Sequence, residues 1–472
     1  MNNKLGLSSL TAIVIGSMIG AGVFSLPQNM ASVASPAAVM MGWSITGIGM
    51  VFLAFSFQKL AFHKPNIESG VFGYAKEGFG DFVGFCSAWG YWLSAMLANV
   101  SYLVIVFSTL GMLFDTPDNV TFGQGNTWVS IIGASTLLWM VHGLVLRGVQ
   151  TAALINLVTT YAKLIPLLVF ILCALFAFSW DTFTVDFTGL HFGQEHTLLE
   201  QVKSTMLVTV WVFIGIEGAV VVSSRARNRK DIGRATILGL LTALAIYVLV
   251  TLLSMGVIKP TELAHYQNPS MAKVLTYILG PWGQYIISLG LLVSVCGAFL
   301  SWTVLASEVP YLCAKEKMFP ASYAKLNKAG SPVRPLTLTN IWVQISLIFV
   351  MFAGSTYDTL LIIASEMILV PYFLVGAYVL KLAIEQKNRG SLLAVGVGAT
   401  LYGFWLLYAS GLNYLLLSAI LYVPGLVFFV RAKKEQGINP FEGKEKAGVG
   451  LLSVVALLAI GLLWQDVLNL SF

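Results

Sequence analysis

The sequence predicts an all-α protein that crosses a lipid bilayer about twelve or thirteen times. Three observations lead there. Only 10% of the 472 residues are charged and 57% are apolar, whereas soluble domains carry about 25% charge; mean hydropathy is +0.82. The apolar residues fall in long blocks, each about 18 residues or more, enough as helix to cross about 30 Å of hydrocarbon. Lysine and arginine gather in alternate connections between those blocks.

The apolar segments are 8–33, 37–58, 82–113, 127–146, 152–179, 203–224, 233–258, 281–314, 336–354, 359–382, 391–409, 412–430 and 448–465. The last is the shortest; without it the count is twelve. With the N-terminus placed inside, the inner connections hold Lys59, Lys64 and Lys76, then Arg147, then Arg225, Arg227, Arg229, Lys230 and Arg234. Further along they hold Lys315, Lys317, Lys325, Lys328 and Arg334, then Lys381, Lys387 and Arg389, then Arg431, Lys433, Lys434, Lys444 and Lys446. The outer connections hold only Lys203, Lys259 and Lys273. Positive residues favour the cytoplasmic side, so the N-terminus is expected inside the cell. The net charge of +6 is then a consequence of topology. No exposed basic run is interleaved with aromatics, so nucleic acid is not an expected partner.

Other classes find little support. Cys86, Cys173, Cys296 and Cys313 lie in or at the ends of apolar segments, without metal-ligand spacing. The histidines (63, 142, 191, 196 and 265) form no metal or catalytic pattern, and no phosphate-binding loop suggests direct use of ATP. The start MNNK before an apolar run imitates a signal peptide, but that run is interrupted by glycines and followed by many more, so it is expected to remain.

Two segments are built oddly. The first contains GSMIGAGVFSLP, residues 16–27, and the sixth contains FIGIEGA, residues 213–219, with Glu217 in mid-span. Glycine weakens a helix, and a lipid-exposed backbone cannot leave amides unpaired. If ten segments form two repeats of five, the odd number inverts the second repeat and these two segments correspond. Glycine-interrupted spans at matching places are a sequence pointer to a transporter's binding site. Close packing of small residues is the alternative for either motif alone. The repeats would cover residues 1–180 and 200–384, with C-terminal helices in 390–472.

Ionisable residues inside the spans are few: Lys163, Glu217, Glu308 and Glu366. Each is costly at bilayer depth and is a functional candidate for that reason. Three acids against one base leave the core short of positive charge, which a cationic substrate or a proton would supply. Glu308 also lies near a span end, and Glu366 could pair with Lys163. Trp211, four residues before Gly215, and Trp302 could hold a cation against an aromatic face. Asn99 is a mid-span amide able to bond a substrate or a neighbouring helix.

GSMIGAGVFSLP, VWVFIGIEGA and RARNRKDIGRAT together closely resemble the amino acid–polyamine–organocation superfamily, over about residues 5 to 432. The resemblance is closest to its bacterial basic amino acid/polyamine antiporters, such as arginine/ornithine exchangers. It implies the leucine-transporter fold, a five-plus-five inverted repeat with helices one and six unwound. It further implies that Ser17, Met18, Gly20, Ala21 and Gly22, with Trp211 and Ile214, meet the substrate's α-carboxylate and α-amine. Trp211 and Trp302 match its aromatic clamp and Asn99 its helix-three amide. Glu217, Tyr91 and Tyr372 match its inner gate. Lys163 matches a helix-five lysine of sodium-independent relatives, whose ammonium takes the place of a sodium ion.

There are departures. Ala21 stands where the arginine/agmatine branch has a serine, and Glu308 and Glu366 are additional acids. The expectation is a secondary transporter in the bacterial inner membrane, not an enzyme, with no cofactor, as a monomer or a homodimer. Its exchange would be of cationic amino acids, arginine for ornithine first. Exchange of an amino acid for its decarboxylation product (histidine for histamine, lysine for cadaverine) and proton-coupled uptake are the rivals. A non-transporting sensor or a channel fits less well.

Overall fold

The computed structural model describes residues 6–67, 69–193, 196–221, 226–353, 357–387, 390–440 and 443–465. Arg225 and Arg389 of the inner basic set lie outside them. The regular structure of the described residues is helical, with an isolated β-bridge between Thr116 and Asn119. The first apolar segment is two helices, α1 (Leu7–Met18) and α2 (Gly22–Ala31), bent by 45° at the break. Then come α3 (Pro36–His63), α4 (Gly70–Phe79), α5 (Asp81–Phe114), α6 (Trp128–Leu146), α7 (Val149–Ala177) and α8 (Trp180–Thr184). The sixth apolar segment is α9 (Leu198–Phe213), four residues of turn, and the short α10 (Gly218–Val221). The chain continues through α11 (Arg229–Val257), α12 (Pro260–Leu263), α13 (Ser270–Leu279), α14 (Pro281–Lys315) and α15 (Val333–Ala353). It ends with α16 (Tyr357–Glu385), α17 (Ser391–Ser410), α18 (Leu412–Tyr422), α19 (Leu426–Glu435) and α20 (Gly443–Trp464).

Among the described residues, 11 helical stretches are long and apolar enough to cross a membrane, or 12 with the bent α1–α2 pair as one span. The stretch Glu445–Trp464 passes that test, so the last apolar segment is a full-length candidate span. Helix starts are chemically marked: the Thr127 and Thr197 hydroxyls accept the Ser130 and Glu200 amide N–H, and Pro36 and Pro281 open α3 and α14. These devices satisfy or avoid the donors that every helix start leaves unpaired. Between α5 and α6 the Asp115 carboxylate accepts the amides of Thr121, Phe122 and Gly123. Burial works against its charge, but those amides outweigh burial and hold its pKa below the ordinary aspartate value.

The bundle surrounds its two broken members. α1 is packed by α7, α11 and α14, and α9 by α3, α16 and α17. α5 runs through the middle against α14 and α16. Large apolar side chains point outward, Phe176 at 89% and Trp464 at 92% exposure. In water such a surface would be a liability; against lipid tails it costs nothing.

Candidate functional site

α1 stops at Met18 because the next three residues leave the helical path. Ile19 has ψ 85°, and the Gly20 N–H turns back to the Met18 carbonyl at 3.0 Å instead of bonding Gly16. This strands carbonyls that a continuous helix would have paired. Side chains from other helices collect them. The Lys163 ammonium on α7 donates to the carbonyls of Gly16 (3.0 Å) and Ile19 (2.5 Å). Trp302 Nε1 on α14 donates to the Ser17 carbonyl at 3.3 Å. Lys163 is fully buried, and its donors replace a missing piece of helix ladder. Beyond the break, α2 begins at Gly22; the Phe24 N–H bonds back to the Ala21 carbonyl at 3.1 Å, and the Gly22 and Val23 N–H groups have no earlier turn to bond.

The second break lies directly against the first. After Phe213 the chain turns through Ile214–Glu217, and Gly215 takes φ +108°. A Cβ at Gly215 would lie 2.8 Å from the Ser17 backbone, so glycine is required both for the dihedral and for the approach. The Ser17 hydroxyl is 2.8 Å from the Gly215 carbonyl and 3.0 Å from that of Val14, and its single proton serves one at a time. Met18, Ala21 and Ile214 are buried at the same junction.

Aromatic side chains close one side of this junction. Trp211 stands against Gly22, where a Cβ would lie 2.9 Å from the indole, and its Nε1 donates to the Tyr357 hydroxyl at 3.0 Å. Tyr102 on α5 lies against both Gly20 and the Trp211 ring, with ring centroids 6.3 Å apart. Asn99, three residues earlier on α5, therefore shares the face that meets the first break. It is fully buried, and neither its Nδ2 nor its Oδ1 has a hydrogen-bond partner. Such an amide costs about 1–3 kcal/mol unless something bonds it.

On the other side, Glu217 is clamped by two phenols: Tyr91 donates to Oε1 at 2.5 Å and Tyr372 to Oε2 at 2.9 Å. The carboxylate thus ties α10 to α5 and α16 across the bundle. The remaining two acids stand apart. Glu308 is half-buried in a narrow cleft with Gly70, Phe72, Tyr91, Leu305 and Leu312, none of them from the breaks. Glu366 is buried, with neither oxygen hydrogen-bonded. Its electrostatic neighbours are Ser410, Tyr414 and Tyr422 of the C-terminal helices. It does not meet Lys163, whose ammonium is taken up by the first break.

So the structure gathers Ser17, Met18, Gly20, Ala21, Gly22, Trp211, Ile214 and Trp302 at one junction. Asn99 shares the facing side of α5, Lys163 stands behind, and the Glu217–Tyr91–Tyr372 clamp adjoins. It leaves Glu308 and Glu366 outside. Tyr102 and Tyr357 were not anticipated. Tyr102 was legible in principle, one helical turn from Asn99; Tyr357 reaches Trp211 only through tertiary packing.

A multi-pass helical membrane protein with two broken spans meeting around stranded backbone groups defines a class, the membrane transporters of small polar solutes. The chain belongs within it to the amino acid permease family, whose model matches residues 5–441. Among curated proteins, it is 58% identical to the Escherichia coli K12 protein named "Putative arginine/ornithine antiporter", over 98% of this chain and 100% of that one. It is 49% identical to the arginine/ornithine antiporter of Pseudomonas aeruginosa PAO1, over 99% of each. It is 40% identical to the arginine/agmatine antiporter of Chlamydia caviae, over 99% of this chain and 98% of that one.

Proposed function

We propose that this protein exchanges cationic amino acids across the bacterial inner membrane, N-terminus inside, taking up arginine against ornithine. The observation that carries this reading is the junction of the two breaks, where α2 starts against Trp211 and Val212 and the Asn99 amide is buried and unpaired. Helix N-terminal amides suit a carboxylate, and the carbonyls of the first break would meet an α-ammonium. The Trp211 and Trp302 rings would hold the substrate's cationic end. Glu217, with Tyr91 and Tyr372, would close the inner side, and Glu308 would meet the substrate beyond that gate. Lys163 would hold α1 to α7 in place of a sodium ion.

Relatives named for ornithine at 58% and 49% identity, against 40% for agmatine, favour the amino acid over the amine as counter-substrate. Counterflow decides it. Proteoliposomes preloaded with ornithine, agmatine, histamine, cadaverine or buffer would be offered labelled arginine, lysine or histidine. Arginine uptake against ornithine alone is expected. Preference for an internal amine would move the protein to decarboxylation-product exchange. Equal uptake into buffer-loaded vesicles would remove obligatory exchange.

A further inference from the structure

Just beyond the Trp211–Tyr357 pair is a second polar cluster. The Asn268 side-chain nitrogen, in the connection between α12 and α13, is ringed by three oxygens. They are Gln28 Oε1 at 2.9 Å and Asn29 Oδ1 at 2.7 Å on α2, and Asp358 Oδ1 at 2.8 Å on α16. An amide nitrogen has two protons. Three acceptors, one a carboxylate, crowd a neutral donor that cannot serve them all. Asp358 is half-buried, the Asn29 side chain also bonds its carboxylate, and no lysine, arginine or histidine pairs with it among the described residues. The number and charge of the oxygens match an ammonium, with three donors, or a guanidinium edge, far better than an amide. The cluster also adjoins the Trp211–Tyr357 pair: Tyr357, next to Asp358, accepts the Trp211 N–H, and α2 is the helix that starts at the first break.

We propose that Gln28, Asn29 and Asp358 form an outer binding station for the cationic group of an arriving basic amino acid, with Asn268 occupying it as a stand-in when the transporter is closed. The substrate's ammonium or guanidinium displaces the Asn268 amide and takes its three oxygens. That frees α2 from the α12–α13 connection and lets the Trp211–Tyr357 pair part. This rests on the exchange of basic amino acids proposed above.

The test is the external half-saturation concentration for labelled arginine, measured in cells loaded with ornithine. Asp358→Asn should raise it about tenfold with maximal exchange nearly kept, since one charge-assisted contact of about 1.4 kcal/mol is a factor of ten. Asp358→Glu should stay within about threefold of the wild type, because the charge is retained. Asn268→Ala should lower it, because the competing amide is gone and the oxygens remain. An unchanged value in Asp358→Asn overturns the proposal. So does a rise of similar size in Asp358→Asn and Asn268→Ala, which would make the cluster a simple tie between helices. If the wild type exchanges no basic amino acid, the functional reading itself fails and the outer station fails with it; a wild type that exchanges normally isolates the question to Asp358.

Discussion

Glu217 shows how much one side chain does here. A carboxylate accepts from two phenols at once, one per oxygen, and so joins three helices without a counter-ion. Glutamine offers one acceptor oxygen and an N–H pair that needs acceptors of its own. Losing a hydrogen bond to a charged group costs about 1.5–3 kcal/mol. Glu217→Gln is therefore expected to fold and reach the membrane while losing at least about tenfold in exchange rate. Counterflow at equal protein per vesicle measures it; undiminished exchange would take Glu217 out of the gate.

At the scale of helices, the loosest element has the fewest packed faces. α20 presents most of its surface outward and rests mainly on α18 and α5. Its tether is Lys433 at the end of α19. The side chain is 4% exposed, with Nζ 2.6 Å from Asp81 Oδ2 and 3.1 Å from Glu445 Oε1. Asp81 opens α5 and Glu445 stands in the first turn of α20, so one ammonium pins both helix starts. Lys433→Met would take the cation from Glu445 and leave Asp81 with Lys76 at 3.9 Å. Faster proteolytic cleavage between α19 and α20 is expected, with the 11 preceding candidate spans intact; an unchanged cleavage rate would show that apolar packing alone holds α20.

For the whole molecule the decisive quantity is charge moved per cycle. Arginine and ornithine each carry one net positive charge at neutral pH, whereas an amine product such as agmatine carries two. Exchange of arginine for ornithine should therefore leave the membrane potential unchanged, as a potential-sensitive dye in ornithine-loaded vesicles would show. A potential that grows with arginine uptake would favour amine exchange or an accompanying proton.

The bilayer explains why so much of this was legible. Lipid offers no hydrogen bonds, so each span must satisfy its backbone within its own residues. That requirement is local, and it wrote the thirteen apolar segments, the sparse charges and the glycine interruptions at 16–22 and 215–218 directly into the chain. For the same reason Lys163 stood out, since an ammonium in TYAKLIPLL needs partners that an intact helix cannot offer. Which faces meet is not local. Only the folded bundle decided that Lys163 serves the first break and not Glu366, that Glu366 turns toward the C-terminal helices, and that Tyr357 backs Trp211. Likewise Asn268 meets Gln28, Asn29 and Asp358 across separations of 240, 239 and 90 residues. Such contacts depend on how helices rotate and cross, which packing among many side chains sets and no single segment encodes.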